Sequence, residues 1–593
     1  MCKTELASPK ESRAWWSLLT YSPMKPWQWI AVLQLVVALI FGGRAGAEQL
    51  YVLNGKRATL TVVDDSTLKR LGEIPLSSDP TFALLDPQKP VAYVLHSGIF
   101  TSLGKLRRGE PEVGKLEVVD LQQRKVIKEI PLGWNAQGLW LSGNGKYLYC
   151  LSNGWRYQYQ QKKGRSPDPE GIVTVVNRET LEQVVKLVPG RLATQLVETK
   201  DHSRLVVLAG GSIYLDYPQN PREAEVMRAG FFSGNRTEWM DARIVIYDTA
   251  RFQKLLETKL EGAPTELELS QDERYAFLLD RGLPHRKKRL MRQGTVQIVN
   301  LGSGSVEARE EAGMLPLVAR WDPDGLGLDL VTHSAYGGKA DLLFLHVRPN
   351  MTMQSKVLGQ FGEYLGELLP FRGNNLAVTT FYARRGLVPQ SHLALVDLNS
   401  STLLCRVPIG SKGIRAAKNI GMGALAITAG FIPPVGIGFA SWLLHDVGET
   451  PRRPLPENIA LPRDEQVLYA LDQASDRVSV VRTQDGTVVN NIPVGAGCRN
   501  LILAPGGKYV LVQGGAHFVW LSTENHQKSG EHLLGKGRII SMYPDPEGKR
   551  ILLLGENFLL PWDAEKGIVG TAVTGFHFPL QVLRPQLRAG TER

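Results

Sequence analysis

Two distant segments of the chain share one spacing of turns and apolar runs. Residues 116–154 read LEVVDLQQRKVIKEIPLGWNAQGLWLSGNGKYLYCLSNG, and residues 476–514 read DRVSVVRTQDGTVVNNIPVGAGCRNLILAPGGKYVLVQG. In each segment, the glycine after an apolar-proline-apolar triplet lies 12 residues before the glycine that precedes Lys-Tyr. A fixed internal spacing of this kind indicates a repeat architecture.

An alternating apolar strand also recurs ten times along the chain. Its copies lie at 59–65, 115–120, 172–177, 243–248, 295–300, 341–347, 392–398, 477–483, 517–523 and 558–564. Such alternation is typical of a half-buried β-strand, and most copies have strand-like companions separated by turns such as SGNGK and APGGK. Four short strands per unit predict an all-β protein, a β-propeller of four-stranded antiparallel blades with about ten repeat units.

Prolines that end one strand of the repeat indicate the order of strands within a blade. Proline has no amide hydrogen to donate, so in a sheet it favours an edge, where it also discourages aggregation. We therefore expect this strand to be the outermost of the four. The prolines are Pro75, Pro131, Pro189, Pro408 and Pro493.

The segments RVSVVRTQDGTVVNNIPVG and NLILAPGGKYVLV, with their counterparts near 116–150, resemble the YVTN family of β-propeller repeats. The likeness covers residues 48–585, strongly in some units and faintly in those near 300–380. The resemblance implies a propeller fold and an exported protein. It carries over no catalytic residues, because the repeat contains none.

The chain ends predict how the ring closes. The first strand after residue 48 matches the second strand of a unit, and the missing innermost strand appears at 576–585. One C-terminal strand would then complete a sheet with three N-terminal strands. Ten blades exceed the usual four to eight, so one large ring and two smaller rings are both open.

Residues 1–47 differ from the repeats. An apolar run at 27–43 follows Lys25 and precedes Ala45-Gly46-Ala47, the pattern of a cleaved signal peptide; an N-terminal membrane anchor is the alternative. The predicted domains are this signal or anchor at 1–47, blades at 48–410, an apolar Gly/Pro-containing insertion at 411–457 and blades at 458–593. We expect an exported protein, whether periplasmic, cell-surface or secreted.

Strand order also predicts where the long segments lie. With strands a to d counted from the centre, the b–c and d–a connections of antiparallel strands share one face. The long b–c segments are 97–113, 153–171, 210–241 and 280–293, and the 411–457 insertion is a d–a connection. Long segments on a rigid scaffold are where binding usually resides, so this face, called here the long-loop face, is the predicted binding surface.

The insertion contains 27 consecutive residues, 419–445, without Lys, Arg, Asp or Glu. Pro433-Pro434 splits it into halves too short to cross a membrane. We expect a helical hairpin lying in a membrane interface, or a cap over the ring or against a protein partner. The candidate contact residues are Met422, Leu425, Ile427, Phe431, Ile437, Phe439, Trp442 and Leu443.

Other loops on this face are rich in basic or aromatic side chains. Residues 284–293 hold five Lys or Arg, and 155–165 mixes both kinds. Such loops suit an anionic membrane surface, a protein partner or a glycan. For either loop alone, a plain solvated loop is the commoner interpretation. The predicted export disfavours nucleic acid. The binding candidates are Trp155, Tyr157, Tyr159, Tyr214, Tyr217, Arg286, Lys287, Lys288 and Arg289.

No motif for catalysis or cofactor binding is present in the sequence. Nucleophile-elbow, zinc-protease, phosphate-loop and dinucleotide signatures are missing. The three cysteines after residue 47 are too far apart for a disulfide framework. The turns DPDG (322–325) and DPEG (545–548) are predicted to be plain turns, and His526 and His532 are poorly spaced for a metal. We predict no catalytic residues, no metal and no cofactor.

The net charge of +11 permits an anionic partner without requiring one. The sequence thus predicts a non-catalytic binding or scaffold protein that docks on a membrane surface or protein partner through the long-loop face. The alternative is a propeller enzyme, a lactonase-like hydrolase or a quinoprotein-like dehydrogenase, with its site in the central tunnel. Ionisable side chains converging there from three or more blades would favour the enzyme.

Overall fold

The structure is a computed structural model. It describes residues 49–585 except 78–79, 99–112, 155–169, 215–236, 281–293, 323, 334–339, 350–353, 363, 372–374, 386–387, 411–458, 473–474, 496, 499, 505, 515–516, 535–538, 546–548 and 578. The described residues form strands and turns, and none of them forms a helix that could span a membrane.

Forty-one strands follow one another in the part of the chain that the structure describes. The first fifteen are β1 (Gln49–Asn54), β2 (Thr59–Asp64), β3 (Arg70–Pro75), β4 (Pro80–Leu85), β5 (Val91–His96), β6 (Lys115–Asp120), β7 (Lys125–Pro131), β8 (Ala136–Leu141), β9 (Tyr147–Ser152), β10 (Glu170–Asn177), β11 (Gln183–Arg191), β12 (Ala193–Glu198), β13 (Arg204–Tyr214), β14 (Thr237–Asp248) and β15 (Lys254–Lys259). The next twelve are β16 (Glu266–Leu269), β17 (Tyr275–Asp280), β18 (Thr295–Asn300), β19 (Val306–Glu311), β20 (Met314–Trp321), β21 (Leu328–His333), β22 (Ala340–Val347), β23 (Gln354–Gly362), β24 (Tyr364–Pro370), β25 (Leu376–Arg385), β26 (Val388–Asp397) and β27 (Thr402–Pro408). The last fourteen are β28 (Ile459–Ala460), β29 (Val467–Asp472), β30 (Arg477–Arg482), β31 (Val488–Pro493), β32 (Asn500–Leu503), β33 (Tyr509–Gln513), β34 (His517–Ser522), β35 (Lys528–Leu533), β36 (Ile539–Pro544), β37 (Arg550–Gly555), β38 (Phe558–Asp563), β39 (Ile568–Val569), β40 (Val573–Thr574) and β41 (Pro579–Leu583).

These strands form ten antiparallel sheets, or blades, each with strands a to d in order. Blade 1 is β41-β1-β2-β3, blades 2 to 9 are four consecutive strands each from β4–β7 to β32–β35, and blade 10 is β36-β37-β38-β39 with β40 also on β38. The a strands of neighbouring blades contact each other, as β4 does with β41 and β8. Strand a is therefore central, and the all-β propeller with four-stranded blades is confirmed.

The five prolines lie on outermost strands, as the repeat pattern predicts. Strands β3, β7, β11, β27 and β31, which carry the five prolines, are all outermost in their sheets. Outer strands alternate in burial, as KVIKEIP of β7 does. Inner parts of a blade differ: Leu116, Glu117, Val118 and Val119 of β6 are all fully buried, because each sheet is covered on both faces by its neighbours.

Ten apolar cores fill the spaces between blades, and together they decide the number of rings. Nine cores join each blade to the next along the chain. The tenth joins blade 10 to blade 1, where Leu552 and Leu554 pack with Leu50 and Val52. Since each sheet has two faces and each face is used once, the described blades form one ring of ten; the two-ring alternative is wrong.

Ring closure also follows the sequence-based expectation. Strand β41 pairs with β1, with Leu583 opposite Tyr51, so the last strand completes the first blade. The joint has side-chain links as well: Gln581 accepts a hydrogen bond from the Ala83 amide at 3.1 Å, and Arg584 contacts Asp65 through Nε at 3.1 Å. The closure therefore involves blades 1 and 2 as well as the two chain ends.

Candidate functional site

All five long segments connect strand ends that lie on one face of the ring. In every blade, a and c run one way and b and d the other, so b–c and d–a connections share a face. The segments bounded by β5 and β6, β9 and β10, β13 and β14, and β17 and β18 are b–c connections, and the one between β27 and β28 is d–a. On the opposite face the described a–b and c–d connections are short turns.

The individual candidate residues fall almost entirely outside the described residues. Only Tyr214 is placed, by its backbone, as the last residue of β13 opposite Thr237. The other aromatic and basic candidates lie outside the described residues, namely Trp155, Tyr157, Tyr159, Tyr217, Arg286, Lys287, Lys288 and Arg289. So do the apolar insertion candidates Met422, Leu425, Ile427, Phe431, Ile437, Phe439, Trp442 and Leu443.

Two β-hairpins extend the long-loop face. Strands β13 and β14 remain paired as far as Tyr214 and Thr237. Strands β25 and β26 remain paired as far as Arg385 and Val388. Each runs four or five residues past the level at which β5 ends, which is roughly 13–17 Å of extra strand. The second hairpin was not predicted, and it places the backbone of Arg385 at the tip.

A glycine allows the first hairpin to leave its blade. The register of β13 and β14 shifts between Ala209 and Gly211, and Gly210 adopts a φ of +92°. A Cβ on Gly210 would lie 2.3 Å from the Ala242 Cα, so only glycine fits both the backbone conformation and the close approach.

On the long-loop face, polar side chains of c strands form hydrogen bonds to the neighbouring blade. The Gly410 amide donates to Ser479 at 3.1 Å, and Gln297 is hydrogen bonded both ways to the backbone of Glu261, at 3.1 and 2.6 Å. Each contact ties the end of one blade's outer strand to the next blade. These contacts fix strand ends on the long-loop face to the neighbouring blades.

The most buried of these contacts joins a carboxylate to an imidazole. Glu117 lies 3.1 Å from His96 Nε2, and both side chains are at most 1% exposed. The Ser77 amide also donates to Glu117 at 3.1 Å. Burial alone would raise the pKa of Glu117, but the hydrogen bonds from His96 and Ser77 outweigh it and lower the pKa to about 2. Both residues of the pair belong to blade 2, and the Ser77 contact ties them to the end of the outer strand of blade 1.

A cysteine–histidine pair on the same face is not arranged for nucleophilic chemistry. Cys498 Sγ lies 3.8 Å from His517 Nε2, but that nitrogen already donates to the Val494 carbonyl at 2.9 Å. Burial raises the pKa of the Cys498 thiol to about 12. A protonated thiol beside an occupied nitrogen has neither the thiolate nor the free base that such chemistry needs.

The central tunnel offers few ionisable groups among the described side chains. The charged ones on a strands are Glu198, Glu266 and Glu268, from blades 4 and 5. Glu198 is held by the Gly143 amide at 2.7 Å. Burial and the nearby Glu266 raise the pKa of Glu268. Among the described side chains, these groups come from two blades.

Apolar side chains face solvent on other a strands. Phe82, Trp140 and Ile502 are 37%, 38% and 38% exposed. The Trp140 ring covers Gly138 on its own strand, where a Cβ would come within 2.0 Å of it. The described a strands of blades 2, 3 and 9 therefore contribute apolar surface.

Comparisons with known proteins return structures of low similarity. No protein-family model and no curated protein matches the chain. A crystal structure of the eukaryotic initiation factor is 12% identical, with a TM-score of 0.42, over 91% of this chain and 98% of that one. Dihydro-heme d1 dehydrogenase NirN in complex with DHE is 10% identical, with a TM-score of 0.40, over 91% and 75%. Kuenenia stuttgartiensis hydrazine synthase is 15% identical, with a TM-score of 0.30, over 74% and 93%.

Proposed function

We propose that this chain is an exported, YVTN-like β-propeller that binds rather than catalyses, and that its long-loop face docks on an anionic membrane surface or a protein partner. The observation that carries the proposal is the shared face of the five long segments. Ten blades provide a rigid ring, and every long segment of the described topology connects strand ends on one side.

The composition of those segments selects the docking chemistry. The 411–457 segment supplies the uncharged run, and 284–293 supplies five cations. Apolar burial combined with attraction to anionic head groups is how interfacial segments bind membranes. The hairpin formed by β25 and β26, paired as far as Arg385 and Val388, extends the backbone of the same face.

Vesicle co-sedimentation tests the proposal. The chain from residue 48 onward, which holds every described strand, should pellet with anionic vesicles and less with neutral ones. Deletion of 416–446 should abolish most of the binding. The triple reversal Lys287→Glu, Lys288→Glu, Arg289→Glu should weaken binding and reduce its sensitivity to salt.

A matched control uses the opposite face. Lys69, Lys125 and Lys566 lie in or beside c–d turns and are exposed. The triple reversal of these three to Glu changes the net charge equally and should leave vesicle binding almost unchanged. If a folded 416–446 deletion pellets as well as the parent chain, the interface role is rejected.

A further inference from the structure

Blade 6 carries an aspartate and a histidine at a pair of positions that holds only aliphatic or aromatic residues in every other blade. Asp329, the second residue of β21, lies seven residues after the turn residue Asp322, as Tyr93 lies seven residues after Asp86 in blade 2, and it faces His346 of strand c. The equivalent pairs in the other nine blades are Tyr51–Val62, Tyr93–Val118, Tyr149–Val175, Val206–Ile246, Phe277–Ile298, Val378–Leu395, Tyr469–Val480, Leu511–Trp520 and Leu552–Pro561. The geometry of the repeat therefore does not explain why blade 6 has Asp329 and His346 at these positions.

A third donor joins them from the a–b turn. His346 Nδ1 lies 2.8 Å from Asp329 Oδ1 and 3.5 Å from Asp322 Oδ1. All three donor atoms lie within 4.8 Å of one another. Tetrahedral ligands about 2.0–2.2 Å from a metal are separated by about 3.3 Å, so these spacings suit a single ion.

The second oxygen of Asp322 is held from outside the cluster. Arg348 Nε donates to Asp322 Oδ2 at 2.5 Å, and Arg348 Nη2 contacts Asp324 at 3.0 Å. The arginine thus orients the Asp322 carboxylate and leaves Oδ1 on the side of His346, as outer partners of metal ligands do. Gly327 provides room, because a Cβ there would lie 2.2 Å from Asp322 Oδ2.

The charge of the cluster matches a divalent ion. Three aspartates (322, 324 and 329) and one arginine (348) sum to −2. Asp322 is 5% exposed, and Arg348 offsets only one of the three aspartate charges gathered here, which are costly to hold together without a further cation. In blade 2 the corresponding turn acid, Asp86, is instead bonded to Tyr93 and Arg178; blade 6 has Asp329 in place of that tyrosine.

We propose that Asp322, Asp329 and His346 bind one divalent first-row transition-metal ion, such as Zn²⁺, on the short-turn face of blade 6. An imidazole with two carboxylates suits these ions better than Ca²⁺, which prefers six to eight oxygens. Three protein ligands leave one position for water or an external ligand. The ion would fasten the a–b turn to strands b and c of the blade.

Metal titration of the chelator-treated chain, from residue 48 onward, tests the site. The expected result is about one Zn²⁺ per chain by calorimetry. Co²⁺ should give the visible absorption of a tetrahedral site. His346→Gln and Asp329→Asn should each weaken Zn²⁺ binding by about 100-fold or more, beyond the 10–100-fold effect of outer partners.

The control is Asp545→Asn, because Asp545 begins the corresponding turn of blade 10 and its neighbours at the pair positions are Leu552 and Pro561. This variant should retain Zn²⁺ binding and the Co²⁺ spectrum. Retained binding in folded His346→Gln, or stronger binding of Ca²⁺ than of Zn²⁺, would overturn the proposal. Should His346→Gln fail to fold, absence of the tetrahedral Co²⁺ spectrum in the parent chain would overturn it as well.

Discussion

At the residue scale, one buried ion pair contributes to holding two blades together. Arg178 of blade 3 donates to both oxygens of Asp86 in blade 2, at 2.6 Å each, and the two side chains are 4% and 0% exposed. Arg178→Met leaves the Asp86 charge buried and without its cation. We expect a loss of about 3–5 kcal/mol in the free energy of unfolding, measured by urea titration followed by tryptophan fluorescence.

A nearby exposed pair gives the control for that measurement. Lys89 and Glu179 join the same two blades at 2.8 Å, but their side chains are 35% and 66% exposed. Lys89→Met should cost about 1 kcal/mol or less. Equal effects of the two substitutions would show that burial of the Asp86–Arg178 pair does not matter.

Individual site residues were harder to predict than the fold, for a physical reason. Asp329 and His346 are 17 residues apart in sequence, and only antiparallel pairing sets them side by side. The DPDG turn contains Asp322 but resembles an ordinary turn, and nothing in its own sequence shows what the sheet brings to it. The departure of blade 6 from the aliphatic or aromatic residues of the other blades becomes visible once the ten blades are aligned by strand pairing.

At the element scale, β41 is the strand on which ring closure depends. Val582 and Leu583 are 7% and 6% exposed, and they pack in the cores on either side of blade 1. Ending the chain at Phe576 removes this strand, exposes the edge of β1 and should cost on the order of 5 kcal/mol. We expect a lower melting temperature and aggregates in size-exclusion chromatography.

The matched truncation ends the chain at Pro585, after β41. That form should remain monodisperse and melt with the parent chain. A stable, unaggregated protein ending at Phe576 would show that β41 is not needed for closure.

Elements with a strong period were predicted well, and hairpin extensions were not. The prolines and the alternating strands follow from hydrogen bonding and burial, which act within a few residues. The projection of β25 and β26 depends on continued pairing through FYARRGLVPQSH, whose backbone pairing is regular although its sequence lacks clean alternation. Pairing beyond the blade is set by the partner strand, so one strand's sequence does not reveal it.

At the scale of the whole molecule, the number of rings follows from the apolar cores between blades. The face on which the long segments lie follows from the direction of the strands. The sequence left one ring and two rings open, because each repeat specifies the interface with its neighbour and not the number of blades. The count depends on the angle between blades, which sums many small packing choices. Strand direction, in contrast, is fixed by the antiparallel order within every blade.

The strand direction predicts on which side of the ring inserted labels will lie. An epitope tag inserted in 215–236 and another in 411–458 should both recruit antibody fragments to one side of a single disc in negative-stain side views. A third tag, at 546–548, lies in an a–b turn and should label the other side. Labels at 215–236 and 411–458 on opposite sides would contradict the shared face, and two-lobed particles would contradict the single ring. Labels on one side would place the uncharged insertion and the tip of the β13–β14 hairpin on the surface proposed to dock.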